Sequence, residues 1–330
     1  MISITCPGCK KSYRIPDNEL PADKAVELLC PACSTVLSIS GNAPPTARPA
    51  AASASGPELM EKIIQTSKAL PPMPQIIARA NEVLSSDTAG FREISQVLES
   101  DQAMATRVLR IANSAYYGVS IPVTSVQQAA ALLGFQTLFE LITVVSSSKM
   151  MGKRLDGYNI DARSVWQHSL SVAVGAKAIA DKYRPELIND AFMAGLIHDA
   201  GMLLLDKYVH ENKKKFNSLL SEDKTFQDAE TELFEFDHAA LACRYMKKWK
   251  LPANLTHAIR YHHRPADSGF DALSCILHIA DAMANTNNLE TNFVMEDRAL
   301  PAIGMDPEDL DRMTFEMEAM VEGIVQSMEG

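Results

Sequence analysis

A chain of 330 residues has room for two domains, or for one large domain with an appendage. Apolar residues make up 47% and aromatic ones 6%, a mixture that favours helices over a β-sandwich. The formal net charge of −10 falls entirely after the first 57 residues, and a body so acidic would repel a phosphate backbone.

The chain opens with "CPGC" (Cys6, Cys9) and, twenty residues later, "CPAC" (Cys30, Cys33). Two intervening residues let both thiolates of a pair reach one ion from a tight turn. Two such turns complete a tetrahedral sulfur set that suits Zn²⁺. Two disulfides fit poorly in a reducing compartment, and a redox CxxC lacks a βαβ setting. A segment this short has little core of its own, so bound metal would supply most of its folding free energy. The pattern resembles the N-terminal zinc ribbons of many bacterial proteins, and "YRI" and "TVLSIS" read as its short strands. Basic and acidic side chains balance within residues 1–40, so protein docking or sensing is expected over nucleic-acid binding.

Residues 41–57, "GNAPPTARPAAASASGP", read as a flexible tether between the ribbon (1–40) and a helical body (58–330). No apolar run approaches the roughly 18–20 residues of a bilayer span. The N-terminus lacks the apolar core and cleavage site of a signal peptide, so a cytoplasmic location is expected.

The body reads as successive helices. In "SDQAMATRVLRIANSAYYG", Met104, Val108 and Ile111 fall at helical spacing, and Gly118 is placed to close the helix with a left-handed residue. Asn113, Tyr116 and Tyr117 read as core or capping residues. "PVTSVQQAAALLG" and "FQTLFELITVVSSSKMM" continue the pattern. The "KKK" at 213–215 reads as a solvated face, Cys243 and Cys275 as core thiols, and the C-terminal 306–330 as an amphipathic helix packed on the body.

No histidine precedes His168. That residue lies on the apolar stripe of Val165 and Val172. His198 and Asp199 end the run "LINDAFMAGLIHDAG", where Gly201 is expected to turn the chain away. His238 shares a stripe with Leu241, Tyr245 and Trp249, and His262 and His263 close a helix stopped by "RP". Asp281 follows Leu277 by four residues in an apolar helix, so its carboxylate points inward. An isolated buried carboxylate is expensive, and several inward His and Asp residues in one domain point to Zn²⁺, Fe or Mn²⁺.

The order His168, His198-Asp199, Asp281 resembles the H…HD…D signature of HD-superfamily metal-dependent phosphohydrolases. His238 and His262-His263 are similar to the extra ligands of the HD-GYP cyclic-dinucleotide phosphodiesterases. The best overall likeness is to the HDOD family of bacterial signalling output domains. It is carried by "LPPMPQIIARANEVL", "DQAMATRVLRIANSAYYG", "AAALLGFQTLFEL", "GLIHDAG", "HAALACRYMKKWKLP", "HHRP" and "HIADAMA", over about residues 58–290.

This resemblance implies an all-α fold and a regulatory role exercised through other signalling proteins. It also implies one ion on His168, His198, Asp199 and Asp281. A second would sit on His238, His262 and His263, with Asp199 bridging. Three departures separate the chain from the catalytic relatives. Met202 stands where HDxGK has lysine, "HHRPADSGF" replaces the GYP loop, and Ser164 occupies the place of an additional glutamate. A methionine cannot donate to an oxyanion or carry charge. The expectation is therefore a regulatory module with a metal site. The alternative is a phosphohydrolase acting on a nucleotide or cyclic dinucleotide, with His198 and Asp199 as candidate catalytic residues.

Overall fold

The computed structural model describes the helical region at residues 56–66, 102–114, 117–249, 251–285 and 292–329. At the N-terminus it gives the backbone of residues 2–5, 12–15, 26–29 and 36–39. Cys6, Cys9, Cys30 and Cys33, residues 41–55, the segment "LPPMPQIIARANEVL" and Tyr116 lie outside the described residues. The chain divides into two units, Met1–Ser53 and Ala54–Gly330.

The N-terminal unit holds two antiparallel hairpins. β1 (Ile2–Thr5) pairs with β2 (Ser12–Ile15), with Ile2 opposite Ile15. β3 (Val26–Leu29) pairs with β4 (Val36–Ile39), with Val26 opposite Ile39. In sequence, Cys6 and Cys9 fall between β1 and β2, and Cys30 and Cys33 between β3 and β4. The strands expected from "YRI" and "TVLSIS" are β2 and β4.

The larger unit is helical. α1 (Gly56–Thr66) begins inside the stretch whose composition reads as tether: Gly56 and Pro57 form its first turn, where proline's fixed φ suits a helix. The Gly56 N–H donates to Glu235 at 2.9 Å. α2 (Gln102–Ala112) buries Met104, Val108 and Ile111 as expected. Gly118 has φ +56°, but it lies in the loop beyond the helix. Asn113 pins that loop, donating to the carbonyls of Leu109 and Val123 and accepting from the Val123 N–H.

α3 (Val126–Met151) starts at the Ser125 cap and is interrupted at Gly134, whose φ of 82° and ψ of 164° only glycine adopts cheaply. α4 (Ala162–Tyr183) is capped by Asp161, which accepts from the N–H groups of Arg163 and Ser164. A 3₁₀ turn leads into α5 (Ile188–Ile197) and then α6 (Ala200–Glu211). There follow α7 (Lys213–Leu220), α8 (Phe226–Phe234), α9 (His238–Met246), α10 (Ala253–Tyr261) and α11 (Ala272–Ala284). α12 (Ala299–Ile303) is short, and α13 (Glu308–Glu329) buries Met313, Met317, Val321, Ile324 and Val325, packing on α4 as its amphipathic pattern requires.

Two stretches, Val126–Ser148 and Pro185–Glu211, reach the length and mean hydropathy (1.6 and 1.2) of a bilayer span, although neither is an unbroken apolar run. Most of each is buried within the domain, because α3, α5 and α6 supply the core. Cys275 is buried, and burial pushes its thiol up to about 12. Cys243 is only half-buried, a correction to its reading as a core thiol.

Candidate metal centre

Five helices and their ends converge on one buried cluster. α5 packs along α4 at very short range. A Cβ on Gly195 would lie 2.7 Å from Ala173 Cα, so only glycine allows this contact. The approach sets His168 of α4 and His198, at the C-terminus of α5, with ring centroids 5.3 Å apart. Asp199 occupies the joint between α5 and α6. Gly201 does not turn the chain away as expected; it lies within α6. A Cβ there would sit 2.0 Å from the His238 carbonyl oxygen, so Gly201 lets α6 press against the start of α9.

The seven expected residues form two groups whose ligand atoms lie within 4.8 Å of one another. One is His168, His198 and Asp281; the other is Asp199, His238, His262 and His263. Asp199 faces both. Its Oδ2 is 3.1 Å from His198 Nε2 and 3.6 Å from His168 Nε2. Its Oδ1 is 3.3 Å from His238 Nε2 and 3.6 Å from His262 Nε2. Asp281 closes the cluster, with Oδ1 3.1 Å from His168 Nε2 and Oδ2 3.7 Å from His263 Nδ1. No side chain in the set is more than 8% exposed.

Several of these contacts are close enough for ion pairs but misaligned for hydrogen bonds. Among the described residues, His168 Nε2, His198 Nε2, His262 Nε2, Asp199 Oδ1 and both Asp281 carboxylate oxygens are buried without a hydrogen-bond partner. A buried polar atom left unmade costs about 1–3 kcal/mol. Several such atoms converging on shared points are what a cation-binding cluster requires. Mixed imidazole and carboxylate donors suit Zn²⁺, Fe or Mn²⁺.

The groups behind the ligands fix their orientation. His198 Nδ1 faces the Gly195 carbonyl and His262 Nδ1 the Ile259 carbonyl, both at 2.7 Å, which leaves each Nε2 directed inward. His278 belongs to neither ligand group. Its Nε2 accepts from the Glu296 N–H at 2.8 Å, so its Nδ1 carries the proton that it donates to the His262 carbonyl at 2.7 Å. Burial holds its basicity below the ordinary histidine value.

Charge is distributed unevenly. Burial opposes ionisation of His198, yet the adjacent Asp199 raises it to about 9. Burial also disfavours the Asp199 carboxylate, but His198, His238 and His262 hold it well below the carboxylate range. His238 is raised well above its ordinary value because Glu230 and Asp199 outweigh burial. Burial and the neighbouring His262 and His238 push His263 well down.

Glu230 of α8 is fully buried, and sequence reasoning misses it. The signal is present: Glu230 follows Phe226 by four residues and precedes Phe234 by four, so it lies on the buried stripe of α8. Both of its oxygens face His238 Nδ1, at 2.8 and 3.0 Å. At position 202, the side chain of Met202 is buried (2% exposed) in the first turn of α6, and its N–H donates to the Asp199 carbonyl. The Ser164 hydroxyl donates to Asp161, the residue that caps α4.

A family model of the HDOD domain matches residues 70–265. The chain belongs to the HDOD family. A zinc-ribbon family model matches residues 3–38, ahead of the HDOD domain. The HDOD fold is shared with an HDOD domain protein of unknown function from Geobacter sulfurreducens. That structure has a TM-score of 0.66 and 25% identity, over 81% of this chain and 97% of the other. A candidate phosphohydrolase from Shewanella amazonensis has a TM-score of 0.63 and 22% identity, over 82% and 97% of the two chains. A candidate signal transduction protein from Marinobacter aquaeolei has a TM-score of 0.64 and 22% identity, over 83% and 66%. An uncharacterised protein of Treponema pallidum is 23% identical over 199 residues, 59% of this chain and 37% of the relative, so the chain spans little more than a third of that protein.

Proposed function

We propose that this HDOD domain holds two divalent ions in its interior and acts as a regulatory module on protein partners, without hydrolysing a phosphodiester. His168, His198, Asp281 and one oxygen of Asp199 would hold the first ion. His238, His262, His263 and the other Asp199 oxygen would hold the second. Bound ions of this kind supply Lewis acidity and a water of lowered pKa, the chemistry of phosphoryl hydrolysis in related folds.

The observation that carries the regulatory reading is a buried ligand set with an apolar Met202 three residues after Asp199. The ligand side of such a site is intact, but position 202 offers no cation or donor to a developing oxyanion. The four N-terminal cysteines would hold structural Zn²⁺, with the ribbon providing a separate docking or sensing element. A reducing, cytoplasmic setting would keep these cysteines out of disulfides and available to the metal.

The completeness of the ligand set also supports the second reading, a metal-dependent phosphohydrolase. One experiment separates them: full-length protein is loaded with Mn²⁺ or Fe²⁺, its metal counted by elemental mass spectrometry, and its turnover measured on phosphodiesters that include cyclic dinucleotides. The regulatory reading expects bound ions without turnover. Hydrolysis that disappears in Asp199→Ala, with the fold retained, would replace it by the enzyme reading. A folded protein that takes up no ion in the helical domain would overturn both metal-based readings.

A further inference from the structure

We propose that Glu230 and Tyr158 are positioning residues for the second ion, holding His238 so that its Nε2 is committed as a ligand. The inference rests on the two-ion reading above. Neither residue belongs to the ligand groups, and they come from segments far apart in sequence: Tyr158 from the loop between α3 and α4, Glu230 from α8.

The carboxylate of Glu230 is fully enclosed, and three donors converge on it. The His238 backbone N–H donates to Oε2 at 2.7 Å, and His238 Nδ1 lies 2.8 Å from the same oxygen. The Tyr158 hydroxyl donates to Oε1 at 2.6 Å. With the Nδ1 proton given to Glu230, the imidazole can present a lone pair only from Nε2. That atom faces Asp199 Oδ1 at 3.3 Å and His263 Nε2 at 2.9 Å, inside the second ligand group. A carboxylate behind a histidine fixes its tautomer and ring orientation and strengthens its donor atom.

Tyr158 is held as firmly as the carboxylate it serves. Its ring lies edge-on to Phe216 and tilted against Phe226, each at 5.5 Å between centroids. The loop carrying it is closed by paired backbone hydrogen bonds between Leu155 and Ile160, and the Gly157 N–H donates to Asp206 at 2.7 Å. The hydroxyl therefore arrives at Glu230 from a braced support.

The energetics distinguish this from a merely structural ion pair. Burying a carboxylate against a histidine costs desolvation that their attraction barely repays, and apolar replacements of such pairs are often neutral or stabilising. The network gains its value when His238 Nε2 has a cation to bind.

The test uses full-length protein, stripped and titrated with Mn²⁺, an ion poorly suited to the thiolates of the ribbon. Binding is followed by electron paramagnetic resonance, which separates an isolated Mn²⁺ from two ions coupled through a shared carboxylate. Wild type is expected to show the coupled signal at two ions. Glu230→Gln should keep the first ion, lose the coupled signal, and bind the second 10–100-fold more weakly. Tyr158→Phe, which keeps the aromatic packing, should shift the second ion in the same direction by less than tenfold. If Glu230→Gln cannot be purified folded, Tyr158→Phe decides alone, and unchanged second-ion affinity in it overturns the proposal. A folded Glu230→Gln that retains the coupled signal overturns it, as does one that loses both ions equally. Wild type that binds no Mn²⁺ overturns the two-ion reading and this inference together, whereas coupled wild type with an indifferent variant overturns this inference only.

Discussion

Asp199 Oδ1 stands 3.3 Å from His238 Nε2, while the other oxygen of the same carboxylate faces His198 at 3.1 Å. One side chain at the joint of two helices thus serves two ligand groups. Removing it should empty both positions, whereas removing His168 or Asp281 should empty one. We expect Asp199→Ala to carry two fewer ions per chain than wild type, and His168→Ala one fewer. Any zinc that the N-terminal cysteines hold would be common to every variant and cancel in the comparison. Equal losses in the two variants would contradict the shared role of Asp199.

The protonation of His198 gives metal binding a direction with pH. In the metal-free domain Asp199 raises this histidine to about 9 against the cost of burial. A histidine raised in this way stabilises the fold fully below its unfolded value near 6.5 and loses that contribution as pH climbs through about 9. Asp199, held low, contributes above its unfolded value near 4 and loses that contribution as pH falls. The pair therefore favours the metal-free fold most between about pH 4 and 6.5. An ion needs His198 deprotonated, so its affinity should rise across the interval where the pair weakens, by up to about tenfold per pH unit for one released proton. Thermal melts in chelator and in Mn²⁺ should diverge from pH 6 to 9. A pH-independent gap would remove His198 from the ligand set.

The site and its frame were legible to different degrees, for reasons visible in single residues. His168 and Asp281 sit among apolar neighbours at helical spacing, and periodicity alone turns them inward. His262-His263 closes a helix that the following proline stops, whereas His198-Asp199 sits at a helix end that Gly201, inside the next helix, does not mark. Glu230 is harder, because a glutamate in "FQDAETELF" resembles any solvated helix former until Phe226 and Phe234 are seen to share its face. Gly201 and His278 illustrate what spacing cannot carry. Gly201 answers to the His238 carbonyl and His278 to the His262 carbonyl and the Glu296 N–H, partners fixed only when helices distant in sequence meet. The interruption at Gly134 likewise depends on a backbone angle, though the glycine itself marks the boundary.

The contact at Gly201 yields a stability prediction that also reports on the ions. A Cβ there would lie 2.0 Å from the His238 carbonyl oxygen and 3.1 Å from the Ala242 nitrogen, both backbone atoms that cannot rotate aside. Gly201→Ala should therefore push α9 away from α6 and cost about 1–3 kcal/mol, the usual range for overpacking. Because His238 heads α9, the second ion should weaken before the first. Denaturant melts and Mn²⁺ titration of one preparation test both. A change below about 0.5 kcal/mol would mean that the helices part more easily than this packing implies.

A short segment preceding α12 lies against the cluster through Phe293, which is expected to act as its cover. Asn292 anchors it, donating to the carbonyls of Leu220 and Lys224 at 3.3 and 3.1 Å. The adjacent Phe293 stacks on His278 with 5.4 Å between centroids and stands 6.4 Å from His263, the ligand residue that retains partial exposure. The Glu296 N–H completes the attachment through His278. Phe293 is itself only half-buried, so truncating it removes a cover without removing a core residue. In Phe293→Ala, a chelator should extract the ions several-fold faster while the metal-free melting temperature changes little. The comparison is kinetic because the ligands are untouched: entry and exit should accelerate together and the equilibrium affinity should hold. Unchanged extraction would place the route to the ions on another side of the cluster, and a matching loss of equilibrium affinity would make Phe293 part of the site's support and not its cover.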